Sequence, residues 1–125
     1  MRNYEIMRNV LVTALHSDKE LTLGDFSCDT DEIGKDYVAE IERLGKERLL
    51  THNMKWDTCS NGGTIKGLTT AGEDFARHIQ DDSVWFIVLK TLKKSKLDIS
   101  YPLIQKVCER VAERIVMNCL PEEFK

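Results

Sequence analysis

From residue 3 to residue 16 the apolar side chains Ile6, Met7, Val10, Leu11, Ala14 and Leu15 recur at helical spacing, with Arg2, Glu5, Arg8 and Asn9 among the polar positions. That spacing predicts a first amphipathic helix. Leu21-Thr22-Leu23 alternates and is closed by Gly24, the pattern of a brief strand, and an acidic loop follows from Asp25 to Glu32. From Ile33 to Leu49 the residues Tyr37, Val38, Ile41, Leu44 and Gly45 fall on one side at 100° per residue, which predicts a second long helix. Leu49 to Trp56 then reads as a strand, Asn61-Gly62-Gly63 as a turn and Thr64 to Leu68 as the returning strand, a hairpin with a long tip from Asp57 to Gly63.

Thr70-Ala71-Gly72-Glu73 has the spacing of a capping box, so a third helix starts there and runs through Phe75 and Ile79. Asp81, Asp82 or Ser83 caps a fourth, whose run from Val84 to Leu89 is apolar on every side. A last helix has Pro102 near its start and a wide stripe that includes Leu103, Val107, Val111 and Ile115.

The order helix, short strand, helix, hairpin, helix predicts a mostly helical α+β fold, a winged helix-turn-helix with a β-hairpin wing and two additional C-terminal helices. The middle helix of that plan is reduced to the turn around Thr30–Gly34. Residues 1–97 make the winged-helix domain, and residues 98–125 a C-terminal helix packed on the same domain or on a dimer partner.

Three stretches of the chain also resemble a known family. They are Tyr37 to Gly45 before the first hairpin strand, Gly67-Leu68-Thr69-Thr70-Ala71-Gly72-Glu73-Asp74-Phe75 after the wing, and Asp81-Asp82-Ser83-Val84-Trp85 beyond it. Together they resemble a small prophage-borne winged-helix family of unknown function, related to the YjcQ-like proteins, over about residues 3–97. The resemblance implies a winged-helix fold in a phage or prophage setting. It implies no activity, because the family has none assigned.

Composition narrows the picture. The chain has 125 residues, 42% apolar and 31% charged, with 2 Pro and 7 Gly, which suits one domain with its own core. No apolar stretch is long enough for a membrane span, and no membrane is expected as a partner. The net charge of −3 gives no global basic footprint, so any contact with nucleic acid must come from a local patch. Cys28, Cys59, Cys108 and Cys119 have no CxxC spacing, and the first fifteen residues lack the apolar core of a signal peptide. These features fit a cytoplasmic protein whose cysteines are small buried hydrophobes.

Several groups invite a chemical reading. On the helix before the hairpin, Lys35, Arg43 and Lys46 form one edge of the outward face, and Asp36, Glu40 and Glu47 form the other. The cationic edge suits phosphates and the acidic edge opposes them. The plainer alternative is i,i+4 pairing, Glu42–Lys46 and Arg43–Glu47, on a solvated helix. The wing adds Lys55, Trp56 and Lys66 as contacts to DNA or a partner protein, Trp56 also being suited to cross-strand packing. Lys90, Lys93, Lys94 and Lys96 either bind phosphate or simply complement a helix C-terminus. Asp29 to Gly34 with Glu40 imitates a calcium loop, but Ile33 stands where an oxygen ligand belongs. No nucleophile–base pair, phosphate loop or metal set is legible, so the chain is read as a non-enzyme without cofactor or metal. Two functions remain. One is a DNA-binding regulator acting as a homodimer on double-stranded DNA, with Trp85, Phe86, Val107, Val111 and Ile115 at the dimer seam. The other is a protein-interaction module, such as a phage product that inhibits a host protein.

Overall fold

Asn3 starts the first helix by accepting the Ile6 N–H on its side chain at 3.0 Å, and α1 (Tyr4–Leu15) follows with Met7, Val10 and Leu11 buried. The structure, a computed structural model, describes residues 2–26, 31–56 and 61–124. Its chain divides into two compact units, Met1–Arg77 and His78–Lys125.

In the first unit the expected brief strand shrinks to one bridge, in which Leu21 exchanges both backbone hydrogen bonds with Ile65 (3.1 and 2.8 Å). Leu23–Phe26 then turns as a 3-10 helix where a loop was expected. Asp25 explains this turn, since its carboxylate accepts from the Thr22 N–H (2.8 Å) with Lys19 beside it (3.1 Å). The Thr22 hydrogen bond and then the Lys19 ammonium hold the Asp25 carboxyl below its usual range. The short helical turn therefore lies at Leu23–Phe26, earlier than the turn expected around Thr30–Gly34. Gly34 already belongs to the next helix, α2 (Asp31–Lys46).

Tyr37, Val38, Ile41 and Leu44 are buried, so the periodicity expected of α2 holds. Its end comes earlier than the apolar pattern suggests. Arg48 adopts a left-handed φ of 62°, Leu49 N–H reaches the Leu44 carbonyl and Arg48 N–H the Gly45 carbonyl, each at 3.0 Å. This is a Schellman ending with arginine where glycine is usual, and the accompanying apolar contact positions, Leu44 and Leu49, are both wholly buried.

The reversal launches β1 (Leu50–His52), which pairs antiparallel with β4 (Ile65–Leu68) in the register Leu50↔Leu68, Thr51↔Gly67, His52↔Ile65. The expected continuous hairpin is interrupted. Beyond Asn53 and Met54 a second short ladder joins β2 (Lys55–Trp56) to β3 (Asn61–Gly62). Asn53 makes the break by accepting the Thr64 N–H on its side chain (2.7 Å), while Gly63, at φ 127°, lies so close that a Cβ would sit 2.7 Å from the Asn53 carbonyl oxygen. Asn61-Gly62-Gly63 is thus part of a strand and a kink rather than the hairpin turn. The tip, Asp57 and Cys59 included, lies outside the described residues, as do Cys28 and Asp29.

Thr69, and not Thr70, caps α3 (Thr70–Ile79): its hydroxyl accepts the Gly72 N–H at 3.1 Å and donates to the Arg48 carbonyl at 2.7 Å. With the cap one residue earlier, Glu73 cannot close a capping box and lies near Arg77 instead (3.7 Å). Thr69 N–H also donates to the Leu49 carbonyl (3.0 Å), so the start of α3 is fastened to the end of α2.

In the second unit Asp81 caps α4 (Asp82–Ser95) through the Val84 N–H (3.1 Å), and Ser100 precedes α5 (Tyr101–Asn118) with Pro102 in its first turn. These two helices pack on each other, which is why the division falls at 77/78 and not at 97/98. On α4, Val84, Trp85, Val88 and Leu92 are buried while Phe86 and Ile87 are exposed; on α5, Ile104 and Cys108 are buried. Burial, followed by the neighbouring Glu109 charge, pushes the Cys108 thiol up to about 12, so it stays protonated as an inert apolar group. The protein is therefore mostly helical, in the α+β class. No helix among the described residues is long and apolar enough to cross a membrane.

At Gly72 an added Cβ would stand 1.9 Å from the Leu49 carbonyl oxygen, a backbone atom that cannot swing aside. Gly72→Ala is expected to lower stability by about 2 kcal/mol or more in urea denaturation, as for other overpacked sites. Thr69→Ala, which removes only a cap, should cost about 1 kcal/mol. If the alanine at position 72 were the milder change, the close docking of α3 on Leu49 would be wrong.

Candidate nucleic-acid interface

The outward face of α2 is organised by a residue that the sequence pattern passes over. Arg2, just ahead of α1, lies with its side chain fully buried across α2, donating from Nε to Glu40 Oε1 at 2.8 Å and from Nη1 to Glu47 Oε2 at 2.9 Å. A further contact joins Nη2 to Glu47 Oε1. Two of the three carboxylates of the acidic edge, all but Asp36, are thus turned toward a guanidinium. Burial works against the charged form of Arg2, but the hydrogen bond to Glu47 and the charge of Glu40 outweigh it, and its pKa is raised above its ordinary value. The stability that this shift lends is therefore present at neutral pH and lost as the pH rises into strong alkali.

Glu40 and Glu47 were expected on the solvent edge, opposing phosphates. Instead Glu40 is only 5% exposed. Its engagement also removes the twelfth-place ligand of the calcium-loop pattern, whose first residues lie outside the described part of the chain. The available signal was the seven-residue interval between Glu40 and Glu47, two acids on one helical stripe that call for a cation from elsewhere.

With those two acids occupied, Lys35 and Lys46 are exposed and meet no carboxylate among the described residues, and Arg43 is half-buried between them on the same side. Ala39 leaves space there: an open groove of about 290 Å³ is bounded by Arg2, Asn3, Asp36, Ala39, Glu40 and Arg43. The expected Glu42–Lys46 ion pair does not form. Asp36 and Glu32 remain exposed near the N-terminal end, so the cations dominate only the C-terminal part of the face.

Helix α2 is fixed against the hairpin at Gly45, where a Cβ would meet the His52 ring at 2.8 Å. His52 Nδ1 accepts the Met54 N–H at 3.0 Å, which aims the ring at the helix. Strand β2 packs beside α2 and carries exposed Lys55 and half-buried Trp56. Lys66 is placed differently. It pairs with Glu20 at 3.3 Å, in the groove lined by Lys19, Leu21 and Glu73, so it does not join the α2 cations.

Among the proposed seam residues, Trp85 is only 6% exposed and already covered by its own chain, whereas Phe86 is 69% exposed and Val107, Val111 and Ile115 are half-buried. Among the described residues no three His, Cys, Asp or Glu side chains gather as a possible metal set.

The fold and this face together define a mostly helical α+β protein with a cationic helix edge beside a broken hairpin. Comparison with known proteins finds no matching family model, curated protein or solved structure.

Replacing Arg2 by Met strands the buried Glu40 carboxylate and should lower unfolding free energy by about 3 kcal/mol in urea denaturation. Adding Glu40→Gln and Glu47→Gln to that variant should recover most of the loss. A single Arg2→Met variant as stable as the native chain would contradict the clamp.

Proposed function

We propose that this chain is a winged-helix DNA-binding regulator of phage or prophage type, related to the YjcQ-like family and acting as a homodimer. In this reading α2 enters a major groove, with Lys35, Arg43 and Lys46 toward the duplex and Lys55 of the hairpin on a phosphate. The observation that carries it is the Arg2 clamp. By engaging Glu40 and Glu47 it withdraws the carboxylates that would otherwise repel the backbone from this edge.

The scaffold adds support. A helix, the Leu21 bridge, the short Leu23–Phe26 turn, α2 and a hairpin follow in the order of a winged helix, with Leu21, β4 and β1 side by side. Lys66, held by Glu20, has no part in the duplex contact. Self-association is assigned to α5, whose Val107, Val111 and Ile115 stand half-open beside exposed Leu103.

A second reading, an interaction module that docks on a host protein, is favoured by one specific observation. The unit Met1–Arg77 carries 10 basic and 14 acidic residues, while α5 exposes Leu103, Val116 and Met117. A net charge of −4 suits a protein partner better than a polyanion.

The test is reversal of the cationic edge. Lys35→Glu, Arg43→Glu and Lys46→Glu together should reduce retention of a duplex oligonucleotide at low salt on the order of 100-fold, with circular dichroism unchanged. Undiminished retention would move the contact elsewhere, and no retention by the native chain would favour the interaction module.

A further inference from the structure

The outward side of α4 combines two kinds of side chain that a solvated helix seldom exposes together. Phe86 is 69% and Ile87 42% exposed. Lys90 lies four residues beyond Phe86 and three beyond Ile87, and Lys93 and Lys94 stand seven beyond them, so all five share an arc of about 120° at 100° per residue. Lys96 follows at the helix end in a left-handed conformation, φ 58°. Lys90, Lys94 and Lys96 meet no carboxylate among the described residues. The helix dipole accounts for lysines near the last turn, but it gives no reason for a protruding phenyl ring one turn before them.

We propose that this face binds single-stranded nucleic acid, Phe86 stacking on an unpaired base and the lysines neutralising successive phosphates. A ring that stands clear of its own chain gains most from a flat π-surface, which a single strand offers and a duplex hides in its stack. The ring and two of the lysines are spaced about 6 Å apart along the axis, from Phe86 to Lys90 and from Lys90 to Lys94, so they track a strand laid along the helix. A second copy of this chain does not fit here, because symmetric pairing through the face sets Lys90 and Lys94 of both copies against each other. An anionic bilayer fits less well, since interfacial helices bury a continuous apolar face and that of α4, with Trp85, Val88 and Leu92, is already covered. Phe86 accordingly leaves the dimer seam. The inference uses no residue of α2 and stands apart from the duplex reading.

Fluorescence anisotropy with labelled (dT)20 and the full chain tests it. Binding is expected at about 20 mM salt with a slope of log K against log salt near −2, about three phosphates being neutralised. Phe86→Ala should weaken it about 10-fold. Lys90→Glu with Lys94→Glu should remove it, whereas the triple reversal on α2 should leave it in place. Both positions are exposed, so circular dichroism of each variant should match the native chain. The proposal is overturned if (dT)20 is not bound at about 20 mM salt, or if the α4 variants bind it as the native chain does. Capture by phosphatidylserine vesicles or polyglutamate in its place, dependent on Lys90 and Lys94, also overturns it by naming another occupant. If (dT)20 is bound through α4 while random duplex is not, the duplex reading fails and this one stands.

Discussion

A guanidinium buried across two carboxylates governs both the packing and the charge of the first unit. Arg2 is held by Glu40 and Glu47, one acid from the middle of α2 and one from just beyond its last turn, so a single side chain secures the start of α1 against the C-terminal half of α2. Taking such groups out of water costs several kcal/mol per ion, and only good geometry with satisfied hydrogen bonds offsets it. Arginine suits the place because its planar fork serves two acids at once, which a lysine ammonium does less well. The Asn9 amide donating to the Tyr37 hydroxyl at 2.6 Å joins the same two helices a turn away. Without the clamp, α2 would present an acidic edge to whatever approaches it.

Backbone geometry also fixes the C-terminal end of helix α2. The left-handed Arg48, the Thr69 hydroxyl on its carbonyl and Gly72 against Leu49 bring the end of α2, the first hairpin strand and the start of α3 to one point. This gives physical content to the Leu68-Thr69-Thr70-Ala71-Gly72 step: Thr69 is the cap, and Gly72 is the one residue without a Cβ to strike the Leu49 carbonyl. Gly45 plays the same part toward the His52 ring. The hairpin is thereby set beside α2.

Periodicity made the helices legible. Tyr37, Val38, Ile41 and Leu44 are buried as their spacing requires, and Val84 to Leu89 proves apolar on its exposed side as well as its buried one. What escaped the pattern depends on single side-chain hydrogen bonds. Asn53 breaks the hairpin, Asp25 makes a turn where a loop was expected, and a one-residue shift of the cap from Thr70 to Thr69 leaves Glu73 without its capping partner. The site was half legible. Lys35 and Lys46 are exposed as the helical wheel places them, but Arg2 is 38 residues from Glu40 in sequence, and no local rule pairs them. Lys66 was grouped with the wing cations by position alone, without regard to Glu20 across the strand.

The central claim is that the clamp leaves a cationic edge on α2 able to hold duplex DNA despite a net charge of −3. The most direct measurement is the affinity of the native chain for random duplex DNA between about 20 and 200 mM salt. Four phosphate contacts per chain, from Lys35, Arg43, Lys46 and Lys55, require a slope of log K against log salt of about −3.5 or steeper. A flat slope, or no binding at about 20 mM, would contradict the account.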